Sequence, residues 1–302
     1  MLDTLNISLT QGCAYGVMVL GVLVSFRLLD FPDLSVDGTF VLGASVTAVL
    51  IGSGVNPFLG LILAILCGFA AGCLTGVLNT KLGVSKLLSG ILVMTMLYSI
   101  NLRVMGRPNM PLLNVPTVTG LIEGDRWLGG FELLVFFAGL AVAIKLLLDW
   151  FLVTEWGTVL RAVGDNEQVV KSIGVDTDLV KIVGLGLANS LVALSGSLVA
   201  QYQGFADIGM GMGMIVVGIA SVLVGESITE ALSFIKKHIA LSRRRTLAAV
   251  IGAFVYQLII ASCLRLGLAP TDLKLATGIM VVAVLLLRSR KRSELASKIF
   301  RY

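Results

Sequence analysis

The stretch EWGTVLRAVGDNEQVVKSIGVDTDLVKIVGLGLANSLVALSGSLVAQ, residues 155–201, joins a polar segment of twenty residues to a long apolar run. The apolar part is long enough to cross a bilayer as a helix, which takes about 20 residues. The polar part, 155–174, is much longer than a connector between two spans needs to be. This pairing predicts a helical membrane protein in which one polar loop has a structure and a role of its own.

The composition of the whole chain agrees with a polytopic membrane protein. Of its 302 residues, 57% are hydrophobic and only 14% are charged, against about 25% charged in soluble domains. We predict an all-α fold of about eight to ten transmembrane helices, forming one transmembrane domain over residues 1–302. The apolar runs are 7–26, 38–53, 58–79, 87–104, 131–149, 182–203, 211–229, 247–264 and 275–288.

The basic residues predict how the chain is oriented. When nine spans alternate and the C-terminus is cytoplasmic, 18 of the 23 lysines and arginines lie inside and five lie outside, as the positive-inside rule requires. The loop 155–174 and the basic tail 288–302 are then cytoplasmic, and the loop 105–130 and the N-terminus are external. The same distribution explains the net charge of +5, so we expect no nucleic-acid partner.

Short sequence motifs that recur in the two halves of the chain predict an inverted internal repeat. In the assigned topology, the first member of each pair runs outward and the second runs inward, as in inverted-repeat transporters. Chance recurrence in an apolar chain is the alternative. The pairs are KLLSGI (86–91) with KLATGI (274–279), each following a basic-Leu-Gly step (81–83 and 265–267), and AVLIG (48–52) with SVLVG (221–225).

The spans show no chemistry that could drive a reaction. Acidic residues are placed in loops or near span ends, the four cysteines have no metal-ligand spacing, and His238 is the only histidine. The chain also lacks a phosphate-binding loop. We therefore expect no catalytic residue, no metal and no cofactor in this chain.

Two glycine-containing stretches predict breaks in the helical backbone. DIGMGMGM (207–214) has Gly209, Gly211 and Gly213 at every second residue, which disfavours a helix. FPDLSVDGTF (31–40) places Gly38 before a short span. Either stretch could border a substrate path, because broken backbone in a membrane must be buried or line a cavity. The polar candidates for that path are Thr95, Tyr98, Ser99, Asn101, Asn189 and Ser190, for which bonding to neighbouring helices is the alternative.

The polar loop 155–174 is predicted to be a helix, a turn and a second helix. Trp156, Val159, Leu160 and Val163 form an apolar stripe. Gly164 is expected to end the first helix and Asp165 to cap the second. The alternative is a helix that lies passively on the membrane surface.

At these residues a family resemblance appears. RAVGDNE (161–167) and GLGLANSLVALSGSL (184–198), with VDGTFVLGASV (36–46) and ASVLVGES (220–227), resemble permease subunits of binding-protein-dependent ABC importers. The branch is that of branched-chain amino acid and ribose permeases, and the similarity covers about 36–287. FPDLSVDGTF and TMLYSINLRVMGRPNMPLL (95–113) look similar to a bacterial subgroup for amino acid uptake, including aromatic amino acids.

The resemblance implies a bacterial inner-membrane importer in which this chain is not an enzyme. A separate ATPase would bind ATP and Mg²⁺, a receptor would deliver the solute to the loop 105–130, and a second permease copy would complete the pathway. The solute is expected to be an amino acid, with a sugar or nucleoside permease and a stand-alone carrier or channel as alternatives. The family usually has an even number of spans and an internal N-terminus, unlike the count above. The coupling loop would span about 153–178, with the ATPase-docking corner at Arg161, Ala162, Val163, Gly164, Asp165, Asn166 and Glu167.

Overall fold

The computed structural model describes residues 2–113, 115–123, 130–231, 241–269, 272–273, 275–282 and 286. The predicted basic tail 288–302 and His238 lie outside these residues. The described chain is almost entirely helical, as predicted, with one small antiparallel pair of strands, β1 (Asn109–Pro111) and β2 (Phe205–Asp207). The helices are α1 (Leu2–Val22, continued by a π-helical turn Leu23–Leu28), α2 (Ser35–Gly52), α3 (Pro57–Thr80), α4 (Lys86–Met105), α5 (Val118–Glu123), α6 (Glu132–Val153), α7 (Glu155–Asp165), α8 (Glu167–Ser172), α9 (Thr177–Gln203), α10 (Met214–Ala231) and α11 (Leu241–Arg265).

Eight of these helical segments are long and apolar enough to cross a membrane. They are α2, α3, α4, α6, α9 and α10, together with Asn6–Leu28 and Arg243–Arg265. The ninth predicted apolar run is helical over 275–282, and most of its remainder lies outside the described residues. The predicted all-α, multi-pass architecture is therefore confirmed.

Side-chain caps explain where several spans begin. Asn56 Oδ1 accepts a hydrogen bond from the Phe58 amide at 2.9 Å, and Pro57 occupies the first helical position of α3, as that pair predicts. Asp176 caps α9 in the same way by accepting from the amides of Asp178 and Leu179. These caps satisfy amides of the first helical turn, which have no partner within the helix.

The centre of the molecule is built from α1, α2 and α9, which bury most of their surface. Gly68, Gly72 and Gly76 of α3 face α9, and a methyl group on Gly72 would collide with the Leu185 carbonyl oxygen. Small residues allow such close approach between membrane helices. The outer helices α3, α4 and α6 instead expose apolar side chains such as Leu66, Leu147 and Trp150.

The pairing of helices recurs in the two halves of the chain. Helix α1 packs against α11 as α9 packs against α3, and α2 pairs with α3 as α10 pairs with α11. Gly83 and Gly267 both adopt positive φ just after α3 and α11, KLLSGI begins α4, and residues 275–279 of KLATGI are helical. The second pair of motifs is different, since AVLIG ends α2 while SVLVG lies in the middle of α10. That pair does not mark equivalent positions.

Contacts between loops define the two ends of the bundle. At one end, Asn6 Nδ2 donates to the Gly130 carbonyl at 2.7 Å, so α1 begins beside the loop 105–130. At the other end, Lys81 Nζ lies 3.2 Å from Asp178 Oδ2, and Lys86 Nζ donates to the Asp30 carbonyl at 2.7 Å. The start of α1 and the loop 155–174 therefore lie at opposite ends of the bundle, as the charge distribution predicts.

Candidate functional site

The loop 155–174, called the elbow from here on, consists of α7, a sharp turn at Asn166, and α8. Asn166 has extended backbone, and its Oδ1 accepts hydrogen bonds from the amides of Gln168 and Val169 at 3.1 and 3.2 Å. The prediction that Asp165 caps the second helix is therefore wrong, because Asp165 is the last residue of α7. The turn falls one residue later, where an amide side chain can satisfy two free backbone amides.

The prediction that Gly164 ends the first helix is also wrong. Gly164 lies inside α7, and a methyl group there would collide with the Leu28 carbonyl oxygen. Leu160 and Val163 are 2% and 4% exposed, because α7 packs against the π-helical end of α1 and against α9. Glycine at position 164 thus permits close contact between the elbow and the bundle.

Two charged residues of the predicted docking corner fasten the elbow to the bundle. Arg161 Nη2 donates to the Leu152 carbonyl at 2.9 Å, which ties α7 to the end of α6. Glu167 Oε2 lies 2.5 Å from Lys181 Nζ on α9, and its Oε1 lies 2.8 Å from Lys171 Nζ on α8. Both side chains therefore have partners within this chain.

The electrostatics of Glu167 follow from these contacts. Burial raises the pKa of Glu167, but hydrogen bonds and charges from Lys171 and Lys181 outweigh it and lower the pKa from 4.5 to about 2. The hydrogen bond and charge of Glu167 in turn raise the pKa of Lys171. Glu167 is thus ionised at neutral pH and joins α8 to α9.

The side chains that the elbow exposes are different ones. Val169 is 57% exposed and Ile173 is 74% exposed, and Asp165, Asn166 and Gln168 are exposed at the turn beside them. The elbow therefore presents a mixed polar and apolar surface. Of the predicted docking corner, Asp165 and Asn166 lie on this surface, whereas Arg161, Val163, Gly164 and Glu167 hold the elbow in place and Ala162 is half-buried.

The glycine-rich segment 208–213 consists of turns, as its spacing predicts, and Gly213 has φ +86°. It leads into α10, whose first amides are capped from another helix. Asp37 on α2 accepts hydrogen bonds from the amides of Gly213 and Ile215, both at 2.8 Å. Gly38 differs from the prediction, because it lies inside helix α2. The backbone break precedes it, where Asp30 has φ +50°.

A cavity of about 60 Å³ lies where α2, α4 and the segment 208–213 meet. Tyr98 and Asn101 line it together with Asp37, Gly38 and Gly211, and Asn101 Nδ2 donates to the Gly38 carbonyl at 3.0 Å. The structure thus brings two of the six polar candidates together with two of the four glycines.

The other polar candidates lie elsewhere. Thr95 and Ser99 are exposed on α4 and do not line this cavity. Asn189 Nδ2 donates to Asp33 Oδ2 at 2.7 Å, which connects α9 to the start of α2, and Ser190 donates to the Leu187 carbonyl. Asn189 therefore bonds to a neighbouring segment, as the alternative states, whereas Ser190 bonds within its own helix.

Sequence reasoning missed the two aspartates, Asp33 and Asp37. The sequence pattern places both ahead of a span, in a loop, but Asp33 is fully buried and Asp37 is 9% exposed. A usable signal was present, because Asp33 precedes Ser35 by two residues and accepts from its amide at 2.8 Å as a helix cap does.

A second cavity, of about 420 Å³, lies on the other side of the segment 208–213, and Met212 lines both. Its walls are uncharged, and none of its polar residues was a sequence candidate. Gln203 ends α9, and Tyr256 Oη lies 2.9 Å from Thr277 Oγ1. The polar residues that line it are Gln11, Tyr15, Gln203, Tyr256, Gln257 and Thr277.

The described part of the chain has no group of three or more His, Cys, Asp or Glu residues that could hold a metal ion. Cys13, Cys67, Cys73 and Cys263 are free thiols. The described residues thus form two neighbouring cavities. They also form an elbow that is bonded to α6 and α9.

Comparisons with known proteins agree with this geometry. The sequence matches the family described as branched-chain amino acid transport system, permease component, over residues 4–287. It is 43% identical to a tyrosine transport system permease protein of Clostridioides difficile over 277 residues, which is 92% of this chain and 88% of that protein.

More distant relatives also align along nearly the whole chain. An uncharacterised protein of Rickettsia prowazekii is 36% identical over 97% of this chain and 100% of its own length. The ribose import permease protein of Escherichia coli is 23% identical over 94% of this chain and 85% of its own length. The chain is therefore a multi-pass membrane protein that belongs to the family of branched-chain amino acid transport system permease components.

Proposed function

We propose that this chain is the permease subunit of an ATP-driven importer for an amino acid, with an aromatic amino acid as the first candidate. The observation that carries the proposal is the elbow, which is fastened to the bundle while its turn stays exposed. A relative that is 43% identical carries the name of a tyrosine transport permease, which supports this substrate class.

The proposed mechanism starts at the exposed turn of the elbow. An ATPase would bind the surface formed by Asp165, Asn166 and Val169, and ATP and Mg²⁺ would be bound by that subunit. Movement of α8 would pass through the Glu167–Lys181 ion pair to α9. It would then pass through the Asn189–Asp33 hydrogen bond to the start of α2, which borders the 60 Å³ cavity. Closure of two ATPases would thereby alternate access to the path.

The remaining partners follow from the same proposal. The chain lies in the bacterial inner membrane with its C-terminus in the cytoplasm, and a receptor delivers the solute to the loop 105–130. A second copy covers the exposed side of α4, where Thr95, Met96 and Ser99 are uncovered. In this arrangement the solute passes along a surface shared by the two copies.

The test is a substitution on the exposed turn. Val169→Arg places a charge on a side chain that is 57% exposed and should leave the fold intact. In vesicles that contain the full transporter, we expect Val169→Arg to lose ATP-driven uptake and co-purification of the ATPase, and Val169→Ile to keep both. Full coupling in Val169→Arg would refute the docking surface.

A stand-alone secondary carrier is the second candidate, and the buried Asp33 and Asp37 favour it. Ionisable groups inside a membrane often mark ion pathways. This function requires that the purified chain, without any ATPase, accumulates the solute under a sodium or proton gradient. Uptake that depends on ATP and on Val169 would exclude it.

A further inference from the structure

The cavity of about 60 Å³ between α2, α4 and the segment 208–213 has hydrogen-bond acceptors in its wall, and none of its lining residues is basic. We infer that this cavity binds the ammonium group of the transported solute, with Asn101 Oδ1 as the hydrogen-bond acceptor and the Asp37 carboxylate as the opposite charge. The inference rests on the proposed transport function, because it names the chemistry that the path recognises.

Asn101 supplies the hydrogen-bond acceptor. Its side chain is 1% exposed, and Nδ2 donates to the Gly38 carbonyl at 3.0 Å. A carbonyl oxygen can only accept, so this contact fixes which side of the amide faces Gly38. The other side, Oδ1, is buried and has no hydrogen-bond partner among the described residues. A buried acceptor without a donor costs free energy, and a ligand N–H would remove that cost.

Asp37 supplies the negative charge. Its two oxygens accept from the amides of Gly213 and Ile215, and these contacts hold the carboxylate at the wall of the cavity. Because electrostatic attraction is strong in a low-dielectric interior, the carboxylate favours a cation over an anion in this cavity.

The size of the cavity limits what can enter it. A volume of about 60 Å³ holds a group of the size of about two water molecules, such as an ammonium with its adjoining carbon. The rest of the solute must extend past Tyr98, whose ring is 50% exposed and can contact a cation through its face. Met212 leads on to the cavity of about 420 Å³, which is large enough for the remainder of an amino acid.

Direct binding to the full-length chain tests this inference without an ATPase or a receptor. The chain is placed in lipid nanodiscs and examined by equilibrium dialysis with L-tyrosine, tyramine and 3-(4-hydroxyphenyl)propionate. The last probe keeps the phenol and the carboxylate but has no ammonium group. We expect it to bind about tenfold more weakly than tyramine or L-tyrosine, as for the loss of a charged hydrogen bond.

Asn101→Leu should abolish this preference, and Asn79→Leu is the matched control. Asn79 bonds to the Val84 carbonyl at 2.8 Å, and it does not line the cavity. Asp37→Asn should also lose the preference by removing the charge. If that variant does not fold, Asn101→Leu decides alone, because Asn101 caps no helix.

The inference is overturned if the three probes bind equally, or if Asn101→Leu keeps the preference for ammonium. Failure of the site differs from failure of the proposed function. Equal binding of the probes together with ATP-driven uptake that Val169→Arg abolishes would remove the site and leave the importer. An ammonium preference together with uptake that needs no ATPase would support the site and refute the ATP-driven importer.

Discussion

Gly164 and Glu167 lie three residues apart in the elbow and connect it to the bundle by different forces. Gly164 acts through its missing side chain, since the Leu28 carbonyl occupies the position of a Cβ. Glu167 acts through charge, by pairing with Lys181 and Lys171. Each contact can be removed by a single substitution while the exposed turn keeps its own side chains.

The first prediction concerns Gly164→Ala. The added methyl group should push α7 away from the π-helical end of α1, at a cost of about 1–3 kcal/mol for overpacking. We expect a large loss of transport-coupled ATP hydrolysis and faster amide exchange throughout α7. Asp165→Ala is the control, because Asp165 is exposed: it should weaken ATPase binding and leave exchange in α7 unchanged. Amide exchange in α7 of Gly164→Ala that is as slow as in the wild type would contradict the close contact between Gly164 and Leu28.

The second prediction concerns Glu167→Gln, which removes the charge that pairs with the nearly buried Lys181. A loss of about 1 kcal/mol lowers the unfolding midpoint of a chain of this size by about 2–4 °C. Coupled hydrolysis should fall as well, because α8 is then free to move without α9. Lys171→Gln, which leaves the pair with Lys181 intact, should have a smaller effect on both measurements. Equal effects of the two variants would exclude a special role for the pair to α9.

The same pair predicts a pH dependence. The folded-state pKa of Glu167 is lowered from 4.5 to about 2, so its stabilising contribution is present above pH 4.5 and is lost as the pH falls towards 2. A dye attached to Ile173→Cys should show constant anisotropy from pH 8 to pH 5 and increasing motion below. Glu167→Gln should show the greater motion already at neutral pH, and the wild-type protein should approach it as the pH falls towards 2.

At the scale of elements, helix packing depends on small residues and on caps that cross between helices. Gly72 of α3 lies against the Leu185 carbonyl of α9, and Asp37 of α2 satisfies the first amides of α10. In the first contact two backbones approach closely, and in the second a side chain of one helix satisfies backbone amides of another, which suits a membrane interior where water cannot serve as the partner.

The third prediction tests the interface between α3 and α9. Gly72→Ala should separate the two helices locally, costing about 1–3 kcal/mol and lowering the unfolding midpoint by several degrees. Gly139→Ala is the matched control, since Gly139 lies in α6 and a methyl group there meets nothing within 4 Å. If both variants unfold at the wild-type temperature, α3 does not depend on this contact.

At the scale of the whole molecule, the loop contacts and the basic residues give one topology. Asn6 contacts Gly130 at one end, and Lys81 pairs with Asp178 at the other. The start of α1 and the elbow therefore lie at opposite ends of the bundle, and we expect them to face opposite sides of the membrane.

The fourth prediction tests that topology by labelling single cysteines in a background without the four natural ones. Leu113→Cys and Leu266→Cys should react with an impermeant maleimide added outside intact cells. Leu82→Cys and Ile173→Cys should react only after lysis. All four wild-type side chains are between 67% and 84% exposed, so accessibility is matched. Labelling of Leu113→Cys and Ile173→Cys from the same side would overturn the topology.

The sequence by itself determined the helical, multi-pass class of the protein and the approximate positions of its spans. Apolar length defines spans, and the cap at Asn56 and the stripe through Leu160 and Val163 are local patterns that a helix must satisfy. These features depend on residues within a few positions of one another, so they can be recognised without the fold. The family resemblance, carried by residues such as 161–167, added the expected partner.

Only the tertiary structure decided the contacts between distant residues. It placed Asp37 at the start of α10, buried Asp33 against Asn189, and joined Glu167 to Lys181. The turn of the elbow lies at Asn166 and not at the predicted Gly164 and Asp165. Gly164 instead serves the contact of α7 with the Leu28 carbonyl. These outcomes depend on which helices pack together, and residues up to 178 positions apart in sequence take part in them, so no local pattern could contain them.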